Sequence, residues 1–231
     1  QARAAVPPKP KLVTTWGRKG DAPGEFSSPI GIAIDSRDRV FVTDLNNSRI
    51  QWFTHDGGYL GGFDLPRDTP NRKSCIIGGI ALSERRGSVE IYLAYMVQHF
   101  IGVYDESGRL LRRWGKQGSG DGDVWGPGGM AFAPDGTLYV ADQNNHRIQT
   151  FTEDGRFLGK WGGHGSEPGK FGGRETPGSR FGGPHFVALD RSGRVYTTEG
   201  VEGRVQVLSP YGQPLRAWGN KTNDPGRFGA Y

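Results

Sequence analysis

An 18-residue sequence motif recurs along this chain, and this recurrence constrains the fold more than any other feature. Residues 145–162 read NHRIQTFTEDGRFLGKWG, and residues 47–64 read NSRIQWFTHDGGYLGGFD. Recurrence at such an interval is typical of repeated supersecondary units. Four copies align, and each closes on an aromatic residue three positions after a leucine: Phe63, Trp114, Trp161 and Trp218. A fifth closing piece, which ends at Trp16, comes before them.

Each copy contains four strand-like runs that are separated by turns. In the third copy the runs are GGMAFA, GTLYVAD, HRIQTFT and RFLGKWG. The pairs Asp135-Gly136 and Asp154-Gly155 supply the positive φ that hairpin turns need. With 39 glycines among 231 residues, the composition also favours short strands and tight turns. The sequence therefore predicts an all-β chain.

Four antiparallel strands per repeat, repeated radially, describe a β-propeller. Apolar runs such as IAI and FVAL suit an inner strand that is buried between neighbouring blades. A β-sandwich would explain the turns but not the fourfold recurrence. We place the repeats at about residues 18–63, 64–114, 115–161 and 162–218, with an incomplete fifth at 219–231 and an Ala/Pro-rich basic linker or processed tail at 1–11.

Two stretches of the chain resemble the NHL repeat. They read PIGIAIDSRDRVFVTDLNNSRIQWF and PGGMAFAPDGTLYVADQNNHRIQTF, and they match the family's order of P-x-G-I-A-V-D, Y-V-A-D and N-x-R-I-Q-V-F. The resemblance implies a propeller of about six blades. Four blades are readable here, so we expect part of a six-bladed ring, completed by residues or a chain not shown, rather than a four-bladed one. A fold of this kind does not by itself specify a function.

An acidic residue and an arginine stand five positions apart in three of the copies. The pairs are Asp44 with Arg49, Asp142 with Arg147, and Glu199 with Arg204. Each flanks the turn between the second and third strands, where an arginine fork can bind a carboxylate of its own or the next blade. We interpret these six residues as structural pairs.

The second copy lacks both members of the pair, since Tyr95 and Phe100 replace them. Joint loss is what a buried ion pair predicts, because losing one member would leave an uncompensated charge. The resulting stretch AYMVQHF, residues 94–100, predicts an exposed protein-binding patch. Its members are Tyr95, Met96, Val97, His99 and Phe100, with Arg174 and Arg180 as a second contact. Alternatively, these side chains fill a wider gap beside the loop at 65–75.

His185, in the stretch FGGPHFVALD, is the one candidate metal ligand. It resembles the histidine of the peptidyl-amidoglycolate lyases, a related propeller class, and that resemblance implies zinc held by histidines from several blades. The equivalent positions here are Ile30, Gly78 and Gly128, which cannot bind a metal. We therefore expect His185 to line the channel and assign no catalytic residue, cofactor or metal. A lyase-like or lactonase-like enzyme that uses zinc or calcium is the alternative.

The charge distribution argues against nucleic acid as the main partner. Arg3, Lys9 and Lys11 account for +3 of the formal net charge of +5. The loops before the four inner strands, residues 17–29, 64–77, 115–127 and 162–184, carry 0, +1, −1 and +1. Phosphate binding requires clustered cations. RNA binding stays a second alternative, with Arg174, Arg180, Phe171 and Phe181 as its candidate contacts.

Taken as a whole, the sequence predicts a non-catalytic protein-binding scaffold or a subunit of a larger assembly. Its single cysteine, Cys75, excludes an internal disulfide and is expected to be a small core residue. No apolar run is long enough to span a membrane. The Ala/Pro-rich start favours a periplasmic, secreted or membrane-tethered location.

Overall fold

The computed structural model describes residues 11–66, 76–172 and 182–219. Within these ranges it contains 18 β-strands and one short 3-10 helix, Gln143–Asn145. Four four-stranded antiparallel sheets form the blades of a β-propeller, as the repeats predict. No helix in the described ranges is long and apolar enough to cross a membrane. The predicted core residue Cys75 lies outside the described residues.

The strands follow one another along the chain in blade order. The first blade comprises β1 (Pro29–Ile34), β2 (Val40–Asp44), β3 (Arg49–Phe53) and β4 (Tyr59–Asp64). The second comprises β5 (Ile77–Ser83), β6 (Glu90–Tyr95), β7 (Phe100–Tyr104) and β8 (Leu110–Trp114). The third comprises β9 (Pro127–Phe132), β10 (Leu138–Asp142), β11 (Arg147–Phe151) and β12 (Phe157–Gly162).

Two short strands separate the third blade from the fourth. They are β13 (His164–Gly165) and β14 (Phe171–Gly172), which pair in parallel. The fourth blade comprises β15 (Pro184–Leu189), β16 (Val195–Glu199), β17 (Arg204–Leu208) and β18 (Pro214–Gly219). Every blade has the same order, so each strand pairs with its neighbour in sequence.

Apolar side chains on both faces of each blade form the cores between blades. One cluster joins the first and second blades around Phe41, Ile80 and Leu93, and another joins the second and third around Tyr92, Met130 and Val140. A third cluster joins the third and fourth blades. The middle strands β2, β6 and β10 are buried throughout because each has an apolar layer on both sides.

The inner strands of the two terminal blades are not fully covered. The prediction that apolar inner strands are buried is therefore wrong for part of β1, where Ile32 is 66% exposed and Ile34 is 62% exposed. The reason is that no described blade precedes the first one. Only the outer part of this face is covered, by Trp16 and Phe26, whose rings pack on Phe53.

The closing aromatic of each of the first three blades packs on a turn glycine of the next blade. Phe63 lies on Gly108, Trp114 on Gly155 and Trp161 on Gly212, and Trp16 lies on Gly57 in the same way. At Gly155, φ is +83°, and a Cβ would lie 2.3 Å from Trp114 Cδ2. Glycine is needed at this turn both for its φ and for the close approach of the ring.

Substitution of Gly155 by alanine should be more costly than the same change at a turn without an aromatic neighbour. Gly87 also has a positive φ, +84°, but nothing lies within 4 Å of its Cβ position. We expect Gly155→Ala to lower the free energy of unfolding by about 2–4 kcal/mol, through backbone strain plus overpacking, and Gly87→Ala by about 1 kcal/mol. Urea denaturation measures both, and equal losses would contradict the packing role.

Candidate functional site

The three acid–arginine pairs bring opposite charges together across the hairpin of the second and third strands. The strand register places Asp44 opposite Arg49, Asp142 opposite Arg147, and Glu199 opposite Arg204. The corresponding N–O distances are 3.1, 2.7 and 2.8 Å, and all three carboxylates are fully buried. In each pair, the arginine therefore binds a carboxylate of its own blade and not one of the next blade.

Each of these arginines also binds the segment that leads into its own blade, which we call the lead-in segment. Arg147 donates from Nη1 to the carbonyl of Ser119, and from Nη2 to the carbonyls of Gly120 and Asp123, at 2.8–2.9 Å. Arg49 and Arg204 make the corresponding bonds to residues 21–25 and 166–170. The arginine therefore joins the hairpin to the loop that precedes the inner strand.

A glutamine that the sequence analysis missed completes the anchor. Gln149 accepts a hydrogen bond from the N–H of Gly122 and donates to the carbonyl of Asp123. Gln51 and Gln206 do the same in the first and fourth blades. The signal was present, since glutamine follows the arginine by two positions in each of these copies. We call the acid, arginine and glutamine together the polar anchor.

The carboxylate in the third blade depends on its partners to remain charged. Burial raises the pKa of Asp142, while hydrogen bonds from the Trp125 N–H, the Asn145 amide and Arg147 favour the carboxylate. Loss of the arginine would leave a buried carboxylate with its largest compensating charge removed.

A double-mutant cycle tests this dependence. We expect Arg147→Met to lower the free energy of unfolding by about 3–5 kcal/mol, because it leaves a buried charge unpaired. The double variant Asp142→Leu, Arg147→Met should be less destabilised than the single one, since no unpaired charge remains. Chemical denaturation of Arg147→Met, Asp142→Leu and the double variant measures the coupling, and additive losses would contradict it.

In the second blade, aromatic rings occupy the place of the polar anchor. Tyr95 and Phe100 stack with their ring centroids 4.2 Å apart and their planes at 16°. The hydroxyls of Tyr95 and Tyr104 are 2.5 Å apart. Gly102 takes the position of the glutamine, and a Cβ there would already lie 3.0–3.4 Å from the rings of Tyr104, Tyr95 and Phe100. The three anchor positions have therefore changed together, with glycine making room for two rings.

A pocket of about 370 Å³ opens beside these rings, and we call it the second-blade pocket. Its described lining consists of Pro66, Tyr95, Gln98, Phe100, Tyr104, Leu110 and Arg113. Tyr95 and Tyr104 are buried, whereas Leu110 and Arg113 are exposed. The Arg113 guanidinium lies over the Phe100 ring, with Cζ 5.4 Å from its centroid. The site combines an apolar surface with one cation at its rim.

The structure changes the expected shape of the protein-binding patch. Tyr95 is buried rather than exposed, because it stacks on Phe100 and packs within the core of the first and second blades. Met96, His99 and Phe100 are half-buried, and Val97 is exposed. Leu110 and Arg113 were missed, since β8 comes next to this hairpin only in the folded blade, and Gln98 was left out of the patch although it lies within the same stretch. The predicted second contact, Arg174 and Arg180, lies outside the described residues.

His99 occupies the left-handed turn position of the second blade, with φ +59°. Its Nδ1 accepts a hydrogen bond from the N–H of Gly126, at 3.1 Å, which requires this nitrogen to be unprotonated. Burial lowers the pKa of His99, and a bond to the Met96 backbone opposes that effect. The neutral ring therefore connects the second blade to the lead-in segment of the third.

Acidification should weaken this connection. Because the folded-state pKa of His99 is lowered, the unfolded chain binds the proton first as the pH falls below about 6.5, so stability falls there. We expect the free energy of unfolding to decrease from about pH 7.5 to about pH 5, and to decrease less in His99→Asn, since asparagine tolerates a left-handed φ. Denaturant titrations at the two pH values measure this, and identical decreases would contradict it.

His185 is not part of the described lining of the axial cavity, and its expected channel-lining role stays a prediction. The cavity measures about 270 Å³, and its described lining is apolar and comes from all four inner strands: Ile30, Gly31, Ile32, Gly79, Ile80, Gly129, Met130, Phe186 and Val187. His185 lies at a register irregularity between β15 and β16, and its ring is next to Gly200. Nowhere in the described ranges do three or more His, Cys, Asp or Glu side chains form a group that could hold a metal ion. The donor set around His185 therefore does not fit the zinc site that the lyase resemblance implied.

Four-stranded blades, face-to-face packing and a common axial cavity define this chain as a β-propeller. Solved structures show the same fold. Virginiamycin B lyase from Staphylococcus aureus is 19% identical, with a TM-score of 0.56 over 86% of this chain and 57% of that chain. Kuenenia stuttgartiensis hydrazine synthase is 14% identical, with a TM-score of 0.57 over 90% of this chain and 52% of that chain. At these identities the likeness concerns the fold alone.

The NHL repeat family model matches residues 26–53 and 124–151, which contain β2, β3, β10 and β11 with their polar anchors. Caenorhabditis elegans protein lin-41 is 42% identical over 48 residues, which are 21% of this chain and 4% of that protein. Drosophila melanogaster protein brain tumor is 30% identical over 108 residues, 43% of this chain and 10% of that protein. Human NHL repeat-containing protein 3 is 35% identical over 77 residues, 29% of this chain and 22% of that protein. Two segments of the chain therefore match the NHL repeat, and the matches span less than a quarter of these relatives' lengths.

Proposed function

We propose that this chain is a protein-binding propeller that serves as a scaffold or as a subunit of a larger assembly. Its binding site is the second-blade pocket. The observation that carries the proposal is that the second blade has an aromatic group, with a pocket beside it, where the other three blades have a polar anchor. The other three blades use the same place to hold their own lead-in segments.

The composition of the pocket supports a protein partner. Protein interfaces are enriched in tyrosine, phenylalanine and arginine at the expense of lysine and acidic residues. The second-blade pocket contributes three aromatic rings, Leu110 and Arg113. Aromatic and arginine side chains in a semi-enclosed pocket are the residues that most often dominate binding energy.

The terminal blades support membership of a larger assembly. Ile32 and Ile34 on the first blade and Trp218 on the fourth are exposed. Their equivalents between blades, such as Ile80 and Leu82 in the second, pack against the preceding blade. Apolar sheet faces of this kind are usually covered by another protein surface.

The experiment is affinity capture from the organism of origin with tagged wild-type protein and two leucine variants. Leu110 in the pocket and Leu158 outside it are each 45% exposed. We expect Leu110→Lys to lose at least one bound partner, because it places a charge in the apolar part of the pocket, while Leu158→Lys retains all of them. Quantitative mass spectrometry of the captured proteins gives the comparison.

Both variants replace an equally exposed leucine by lysine, and only Leu110 lines the second-blade pocket. A difference in captured partners therefore reports on the pocket and not on a general loss of surface hydrophobicity. Thermal melts establish that both fold like the wild type. Retention of every partner by Leu110→Lys, or the same losses in both variants, would contradict the proposal.

A further inference from the structure

We infer that the first blade docks a three-stranded sheet of a partner protein, and that residues 12–17 of this chain become the fourth, outer strand of that sheet. The surface concerned is formed by Leu12, Val13, Ile32 and Ile34, and we call it the open face. This inference rests on the part of the proposed function that makes the chain a subunit of a larger assembly. It concerns a different surface from the second-blade pocket.

Residues 12–17 lie where the outer strand of a preceding blade would lie. The first three blades each place their closing aromatic on a turn glycine of the next blade, and Trp16 lies on Gly57 in the same way. Counting back from the aromatic aligns residues 12–17 with β4, Tyr59–Asp64. Within the described ranges, these residues pair with no strand. An unpaired strand of this kind is a template for strands of another chain.

Nothing in the described part of the chain covers the open face. Leu12 is 80% exposed and Val13 is 91% exposed, and Ile32 and Ile34 are exposed as well. The equivalents of the two isoleucines in the later blades all belong to a cluster shared with the preceding blade: Ile80, Leu82, Met130, Phe132, Val187 and Leu189. The surface that covers these positions elsewhere in the molecule is therefore always a blade.

Three strands are more than the undescribed residues of this chain can supply. The first three strands of the first blade, with their turns, occupy residues 29–53. The longest undescribed stretch is 220–231, which is less than half that length. Residues 1–10 directly precede the open face and contain three prolines, which have no N–H to donate to a ladder. We therefore assign the three strands to a partner.

A cavity next to the open face gives a second and independent indication. It measures about 570 Å³ and lies between residues 16–19 and 26–29. At the boundary of the second and third blades, a turn of the second blade fills the corresponding place, and the Gly126 N–H donates to His99 Nδ1. Ser28 is the equivalent of Gly126 and has the same φ of +67°, although it is not a glycine. The backbone at Ser28 thus keeps the conformation in which Gly126 binds a preceding turn.

The pairing pattern of the blades specifies the chemistry of the partner sheet. The closing aromatic always lies opposite a β-branched residue of the third strand: Ile50, Ile101, Ile148 and Val205. The second strand contributes an aromatic residue to each cluster with the next blade: Phe41, Tyr92 and Tyr139. We therefore expect the partner to place an aromatic residue over Ile32, and an isoleucine or valine opposite Trp16.

A second copy of this chain does not fit the open face with its fourth blade intact. Its closing aromatic, Trp218, would have to occupy the place on Gly57 that Trp16 already holds. The partner sheet therefore has three strands and lacks an outer strand of its own.

The ladder of the first blade shows which N–H groups would bind the partner. The Leu65 N–H donates to the Ser48 carbonyl, at the end of the pairing between β3 and β4. N–H groups alternate between the two edges of a strand, so that of Gly61, four positions earlier, also faces the third strand. By the alignment above, Thr14 is the equivalent of Gly61. The Thr14 N–H therefore faces the partner, whereas the Thr15 N–H faces the outer edge.

The probe is a labelled synthetic peptide with the sequence of residues 127–151, which contains β9, β10 and β11 but no outer strand. Fluorescence anisotropy measures its binding to the full chain. We expect Thr14→Pro to weaken binding about tenfold or more, because it removes a ladder donor and places the proline ring towards the partner. Thr15→Pro is the matched control and should bind like the wild type. A probe with Tyr139→Ser and Ile148→Ser should not bind.

A tethered variant keeps the inference testable if the free peptide binds too weakly to detect. In this variant a copy of residues 127–155 replaces residues 1–10 and is joined to Lys11, so that the three strands and the outer strand follow in the order of the third blade. We expect a higher midpoint of urea denaturation than in the wild type, because tethering raises the effective concentration of the sheet. Thr14→Pro should remove this gain, and Thr15→Pro should retain it.

A gain in the tethered variant supports the inference even without binding of the free peptide. Neither binding nor a gain would overturn it, and so would equal losses in Thr14→Pro and Thr15→Pro. Sedimentation of the chain alone tests the second copy, since a dimer that Thr14→Pro dissociates would also overturn the inference. None of these substitutions lies in the second-blade pocket, so the Leu110→Lys comparison stays a separate test of the proposed function.

Discussion

The burial of a charged pair at the same place in three blades is the interaction on which the loops of this propeller depend. A carboxylate at the end of the second strand is fully buried in each case, and burial without a partner is unfavourable. The arginine of each pair compensates the charge of this carboxylate and also donates hydrogen bonds to carbonyl groups of the lead-in segment. One ion pair thus fixes both the hairpin and the loop that delivers the chain to the inner strand.

The second blade shows what becomes available when that constraint is removed. Asp, Arg and Gln are replaced together by Tyr, Phe and Gly, so that no charge is left unpaired and the two rings have room to stack. The rings stabilise the blade through packing with the core of the first and second blades. They do not supply the polar groups that hold a lead-in segment. The place that has a buried polar anchor in three blades therefore has an aromatic lining in the second blade.

The packing of the blades side by side adds a second constraint, because a blade is stable only when both of its faces are covered. Between described blades, apolar clusters provide this cover three times. At the first blade the cover is partial, with Trp16 and Phe26 over the outer strands and the isoleucines of β1 exposed. Within the described residues, these isoleucines are the part of the first blade that lacks such cover.

The sequence by itself determined the repeat, the four strands per blade and the acid–arginine pairs, because these depend on local alternation, turn glycines and fixed spacing along the chain. Only the tertiary structure decided exposure and partnership. Tyr95 is buried because it stacks on Phe100 and packs in the core of the first and second blades, and Ile32 is exposed because no described blade precedes the first one. Leu110 and Arg113 became part of a site only when β8 folded beside the hairpin of β6 and β7. Periodicity specifies a blade, whereas a binding site depends on what the folded neighbours leave uncovered.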